Sequence, residues 1–284
     1  MSSTSSSRHW LITGVSSGFG LELARCALAR GDTVVGTLRQ RAQADAFEKL
    51  APGRSHAVLL DVTRGDEIER AVREAVQRAG HIDVLVNNAG YGLFGAVEEV
   101  SDAEARQVME TNFFGTLAVT RHLLPHLRER RAGHIFNISS VAGVIGFPGC
   151  GLYAASKFAV EGLSEALAGE LAPFNIRVTV VEPGGFRTNF AGGSMRQAQQ
   201  ELPAYADTPA GKARRSIGRY HGNQPGDPVL AAQAIITALE SPTPPVRLAL
   251  GADAVAMVRQ KHEGVLALLA EWEPLSVSTA IAAP

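Results

Sequence analysis

Residues 10–30 read WLITGVSSGFGLELARCALAR, and the way residue types change along that stretch decides the fold. WLIT (10–13) is a short apolar run of strand length, residues 13–20 (TGVSSGFG) hold three glycines, and LELARCALAR (21–30) is made of helix formers. A strand, a glycine-rich turn and a helix opening from it form the context that a phosphate-binding turn requires. Glycines let the chain turn tightly and bring backbone N–H groups against a pyrophosphate, whose charge the helix N-terminus then favours. Gly14, Ser16, Ser17, Gly18, Phe19 and Gly20 are the residues so placed. The spacing is G-x-x-x-G-x-G rather than the better known G-x-G-x-x-G. Taken alone, the cluster reads equally well as a plain strand-to-helix turn.

Outward from this turn the same alternation continues to about residue 250. Strands are expected at WLIT (10–13), TVVGTL (33–38), AVLLD (57–61), IDVLVN (82–87), HIFNIS (134–139), IRVTVVE (176–182) and VRLAL (246–250). Apolar runs separated by longer helix-like segments are the mark of a parallel sheet covered on both faces. The expectation is therefore an α/β, Rossmann-like doubly wound sheet of seven strands in one domain, residues 9–284, after a disordered tail at 1–8. Ser101 with Glu104 fits a capping box, and Asp227-Pro228 sets a capping side chain before a proline at the first helical position. Between Gly184 and Gly226 the periodicity dissolves, so residues 190–226 are expected to be an irregular loop that covers a substrate. A C-terminal helical extension is expected over 252–284, with an amphipathic helix at 252–271 carrying Val255, Val258, Val265, Leu266 and Leu269.

Hydrophobic residues make up 45% and charged residues 19% of the 284, enough to build a core, and the net charge of -1 gives no reason to expect nucleic acid or an anionic membrane. No apolar run is long enough for a membrane span. Two cysteines, Cys26 and Cys150, are too few for a disulfide framework, and a cytoplasmic location is the expectation. The eight histidines show no metal-ligand spacing, so no metal is expected.

Arg39 closes the second strand, where a site for NAD would usually offer a carboxylate to the ribose hydroxyls. A guanidinium there suits a 2′-phosphate and favours NADP(H) over NAD(H), although a strand terminus also carries an exposed Arg for no such reason. Asp61-Val62 after the third strand either meets the adenine or, through Asp61, caps the helix beginning near Thr63. Asn87, Asn88, Ala89 and Gly90 close the fourth strand, the carboxamides suited to holding a turn and Gly90 to close approach of a ribose. Tyr153 and Lys157, in LYAASKF (152–158), stand at i and i+4 and share a helix face. A nearby ammonium favours the phenolate and tunes the tyrosine for proton transfer to or from a carbonyl oxygen. Ser139-Ser140 ends the fifth strand, where ligands bind in open α/β sheets. Asn112 falls inside an otherwise strong helix, as a kink or as a satisfied interior Asn.

In this order the pieces resemble the short-chain dehydrogenase/reductase family over about residues 9–190, with T-G-x-x-x-G-x-G (13–20), N-N-A-G (87–90), Asn112, Ser140, Y-x-x-x-K (153–157) and P-G-x-x-x-T (183–188). The resemblance implies a Ser–Tyr–Lys–Asn catalytic group. Tyr153 is then the acid/base, Lys157 lowers its pKa and binds the nicotinamide ribose, Ser140 orients the carbonyl, and Asn112 positions a relay water near Lys157. Pro183, Gly184, Phe186 and Thr188 are implied to border the nicotinamide. The runs TVVGTLR, LVNNAGYGLFG and YAASKFAVEGLSEALAGELAPF look most like the NADP-dependent branch that includes 17β-hydroxysteroid dehydrogenase type 1. Tyr91, Leu93, Phe94, Val144, Phe147, Cys150 and Leu152 would give an apolar pocket for a bulky ketone or secondary alcohol, Cys150 as a packing residue. Helices at 102–130 and 153–170 are the surfaces through which the resemblance implies a homodimer or homotetramer. The alternative from another class is a non-catalytic dinucleotide sensor of the same fold, whose mark would be a damaged Tyr or Lys. A nucleotide-sugar epimerase would need a longer C-terminal domain.

Overall fold

In chain order the elements are β1 (His9–Ile12), α1 (Gly18–Ala29), β2 (Thr33–Leu38), α2 (Arg41–Glu48), β3 (Ser55–Leu59), α3 (Gly65–Ala79), β4 (Val84–Asn87), β5 (Gly92–Phe94), α4 (Asp102–Met109), α5 (Gly115–Arg130), β6 (Gly133–Ile138), α6 (Gly151–Leu171), β7 (Ile176–Pro183), β8 (Met195–Gln197), α7 (Pro209–Tyr220), α8 (Pro228–Glu240), β9 (Arg247–Leu250) and α9 (Ala252–Val277). The structure, a computed structural model, describes residues 7–281.

Seven strands form one parallel sheet in the order β3-β2-β1-β4-β6-β7-β9, as the alternation of the sequence implies. Strand side chains alternate between two cores. Trp10, Ile12, Val34, Val84 and Val86 join α1 and α8 through Leu23, Ala27, Ala231 and Ile235. Leu11, Val35 and Leu85 join α3, α5 and α6 through Ile68, Val72, Leu123 and Leu167. With both faces covered, strands lose the polar alternation of a half-exposed sheet and read as near-continuous apolar runs. Each fully buried Leu, Ile or Val contributes about 1.5–3 kcal/mol. The strand order reverses between β1 and β4, so the loops after these strands diverge and open a crevice at their C-terminal ends.

Both expected caps form: Ser101 and Glu104 make the capping box, and Asp227 accepts from the Val229 amide at 2.8 Å. Three expectations are corrected. The tail at 1–8 falls mostly outside the described residues, but the Ser7 hydroxyl donates to Gly31 O at 2.9 Å and the Arg8 amide to Asp32 at 3.0 Å. Residues 190–226 are irregular only in part: β8 pairs in parallel with β5, and α7 starts on Thr208-Pro209, the same cap-then-proline device as Asp227-Pro228. The C-terminal helix does not stop at residue 271 but runs through Pro274 to Val277.

Candidate active site

The glycine-rich turn is held from below by its neighbours. The Thr13 hydroxyl accepts from the Asn88 and Ala89 amides at 2.9 and 3.0 Å, and the Asn88 carboxamide donates to Thr13 O and Gly14 O at 2.9 and 2.8 Å. Asn88 is thus spent on the turn, and Asn87 on Thr120 and Asn137. Gly14 and Gly18 have φ of +74° and +62°, the left-handed region. A Cβ on Gly20 would lie 2.4 Å from Gly14 O, so the chain there has no room for any side chain. α1 opens at this point with no side-chain cap and no acidic residue in its first turn, leaving its N–H groups directed outward.

Gly18 faces Thr188, whose Cβ is 3.7 Å from a Cβ built on it, and Phe19 meets Phe186 edge-on at 5.1 Å. The loop after β7 therefore faces the glycine turn across the crevice, with Gly184 and Gly185 held against the Asp253 carboxylate. Arg39 is exposed at the end of β2, without a carboxylate partner among the described residues. Asp61 accepts from the Thr63 amide and hydroxyl at 3.0 and 2.8 Å and so closes its own turn, while Val62 is buried against Gly115.

On the other side of the crevice α6 presents Tyr153 and Lys157, both buried. Burial raises the Tyr153 pKa well above the ordinary phenol range, against Ser140, which acts on the phenol to lower it. Burial dominates, and Lys157 Nζ is 5.9 Å from the ring centroid, turned to donate to Ile138 O at 2.8 Å. The Lys157 ammonium is itself lowered to about 8 by burial, with Glu161 opposing. Gly90 lies against this group, a Cβ on it falling 3.0 Å from Asn112 Oδ1 and 3.6 Å from Lys157 Nζ.

Asn112 sits in a π-helical turn over Glu110–Phe114, so the helix irregularity is real. Its carboxamide is satisfied: Oδ1 accepts from the Tyr91 amide at 3.0 Å, and Nδ2 donates to Tyr91 O and Ser156 at 2.9 and 3.0 Å. Ser139 lies toward Glu161, both standing against Gly143, whereas Ser140 neighbours Tyr153. Beside Tyr153 lies an apolar cluster of Ala142, Cys150 and Ala154, with Phe94, Phe147 and Phe190 packed on it. Burial pushes the Cys150 thiol up to about 11, the state of a packing residue rather than a nucleophile.

Sequence reasoning missed Phe190, 5.9 Å from the Tyr153 ring, although it stands two places after Thr188. It also missed Glu161, one further turn along the Tyr153–Lys157 face, buried and bound by Arg247 at 2.6 Å. The i+4 spacing was the available signal. Burial, first, and the Glu182 charge push the Glu161 carboxyl upward, against Ser139 and Arg247.

The family model for short chain dehydrogenases matches residues 8–199. The chain is 38% identical to the oxidoreductase BOA17 of Botryotinia fuckeliana over 272 residues, 95% of this chain and 98% of that protein. It is 39% identical to human retinol dehydrogenase 8 over 256 residues, 84% of this chain and 80% of that one. A solved short-chain dehydrogenase from Streptomyces avermitilis superposes with a TM-score of 0.91 at 46% identity, covering 99% of this chain and all of the other.

Proposed function

The chain belongs to the short-chain dehydrogenase/reductase family, and from that premise we propose that it is an NADP(H)-dependent oxidoreductase interconverting a ketone or aldehyde and an alcohol on a hydrophobic substrate. The observation that carries this is the buried Tyr153 phenol, beside Ser140 and with Lys157 one turn on, across the crevice from the glycine turn.

The cradle fits a dinucleotide. Gly14, Gly18 and Gly20 leave no Cβ in its path, Ser16, Ser17 and Phe19 border it, and Arg39 is free to take a 2′-phosphate. Asp61, Val62, Ala89 and Gly90 flank the adenosine and ribose side, and Pro183, Gly184, Phe186 and Thr188 the nicotinamide side. A bound nicotinamide would supply or accept the hydride at the substrate carbon. Ser140 holds the substrate oxygen while Tyr153 passes its proton to that oxygen, and Lys157, kept cationic below about pH 8, holds the ribose and refills the phenol. Asn112 keeps the backbone at Tyr91 in place, and its turn offers a position for a relay water. A phenol that keeps its proton at neutral pH is an acid first, which favours reduction as the cellular direction.

Phe94, Phe147, Phe190 and Cys150 give the substrate an apolar wall next to the phenol. Retinol dehydrogenase 8 bears the name of an apolar alcohol substrate, which supports the same class here. Residues 190–226 cover this wall through β8 and α7.

The test follows NADPH absorbance with a panel of apolar ketones, on wild type and Tyr153→Phe. Turnover should fall roughly 10²–10⁴-fold with cofactor binding retained. Unchanged turnover would refute the role of Tyr153, and cofactor binding without turnover on the whole panel would make the protein a sensor.

A further inference from the structure

Glu161 stands one turn beyond Lys157 on the buried face of α6, its side chain 4% exposed. A carboxylate at that depth is tolerated only with partners, and the partners define what it can do. Arg247 Nη1 binds Glu161 Oε2 at 2.6 Å and also Glu182, buried on β7, at 2.9 Å, while Arg247 Nη2 reaches the exposed Glu165 at 2.9 Å. Three carboxylates share one guanidinium, so the cluster is short of positive charge.

The unshared oxygen points back to the catalytic group. Glu161 Oε1 and the Ser139 hydroxyl are both buried without a hydrogen-bond partner, and a Cβ on Gly143 would fall 2.9 Å from the first and 2.4 Å from the second. Both therefore lie under the turn that begins at Ser140. Lys157 reaches the same place from the other side, its Nζ donating at 2.8 Å to the carbonyl of Ile138, the residue before Ser139.

We infer that Glu161 is a positioning residue of the catalytic group: its carboxylate, anchored by Arg247, supplies the countercharge that keeps Lys157 an ammonium. The inference rests on the assignment of Lys157 to the nicotinamide ribose and the Tyr153 proton. Facing Glu161 are Lys157 and Glu165 on α6, Ser139 after β6, Glu182 on β7 and Arg247 on β9. Facing Lys157 are Tyr153 and Glu161 on its own helix and the neutral Asn112 of the π-helical turn. Burial, first, lowers the Lys157 ammonium, and Glu161 is the charge that opposes it.

The test reads the pH at which NADPH affinity falls, by fluorescence titration across neutral and alkaline pH in wild type, Glu161→Gln and Glu165→Gln. Near-ultraviolet circular dichroism shows that each variant is folded. Wild-type affinity should fall as Lys157 loses its proton above about 8. Glu161→Gln should move that limb down by about one pH unit, the order expected when an opposite charge one turn away is removed. Glu165→Gln takes the same charge from the exposed side of Arg247 and should leave the limb in place. A limb unmoved in Glu161→Gln, one moved equally by Glu165→Gln, or a wild type with no alkaline limb overturns the inference. If Glu161→Gln does not fold, wild type decides alone: a limb set by a buried pair should hold as salt is raised, and one that shifts like a surface charge overturns the inference. The expected shift with no ketone turned over would support Glu161 as positioning residue and refute the proposed reaction alone.

Discussion

The two walls of the crevice are fastened by different chemistry. The glycine turn is tied down by neutral bonds among β1, β4 and their loops, through Thr13, Asn88 and the Gly14 amide on Thr37. The 190–226 segment hangs on charge. Glu99, buried, accepts from the Leu202 and Ala96 amides at 2.9 and 2.8 Å and meets Arg214 at 3.5 Å, while Arg214 also donates to Ala198 O and Gln200 O. Glu104 accepts from the Gln199 amide at 2.9 Å. A wall built from backbone and carboxamides in a parallel sheet has one arrangement. One held by ionic anchors beside a single short strand pairing can be released and reshaped.

The largest expected effect breaks the ionic wall. Glu99→Ala leaves two amides unanswered and takes from Arg214 its buried carboxylate, with Glu201 remaining at 3.6 Å, a cost of roughly 3–5 kcal/mol at that attachment. Hydrogen exchange of the Leu202 amide should rise more than about a hundredfold while NADPH affinity stays near wild type. Cofactor affinity lost in parallel would show that the walls are one unit. Gly20→Ala is the reciprocal change. Its methyl meets Gly14 O and the Asn88 carboxamide, overpacking of about 1–3 kcal/mol that should abolish dinucleotide binding and leave Leu202 exchange alone.

The same contrast should appear in pH dependence. Backbone donation from Leu202, first, then from Ala96, and the charge of Arg214 lower the Glu99 carboxyl below its usual range against the cost of burial. Its fastening is therefore present above the ordinary carboxylate range and lost as pH falls through the lower folded value, so the 190–226 segment loosens in acid. Lys157 is lowered to about 8, so its charge disappears on the alkaline side. Ketone reduction should fall by roughly tenfold per pH unit above that value, and Lys157→Arg should move the limb upward. A limb that stays near 8 in that variant would belong to another group.

The first wall was legible in the sequence because its parts are local. Strand, turn and helix adjoin between residues 9 and 29, and across the crevice Tyr153 and Lys157, equally local, are four places apart on one helix. The second wall was not, because its anchors are distant: Glu99 reaches Leu202, and Glu104 reaches Gln199, across about a hundred residues. Polar, Gln-rich sequence with no apolar period still forms β8, because its pairing partner β5 supplies the order. The sign of the Tyr153 shift is likewise not carried by the sequence. Spacing can set an ammonium beside a phenol, but burial of both, which decides the sign of the shift, belongs to the packed fold.

The smallest expected effect concerns Arg39, the one residue of the glycine-turn wall whose role is proposed from charge alone. It is exposed and makes no ion pair among the described residues, so removing it costs the fold little. A 2′-phosphate held there is partly in water, where a charge-assisted contact is worth about 1.5–3 kcal/mol at most. Arg39→Ala should accordingly weaken NADPH by about tenfold and leave NADH near its wild-type affinity, measured by fluorescence titration of both cofactors. The effect should shrink as salt is raised, since an exposed contact is screened and a buried one is not. Equal losses for the two cofactors would mean that Arg39 shapes the end of β2 rather than reading the phosphate, and both walls would then be neutral to the choice between NADP(H) and NAD(H).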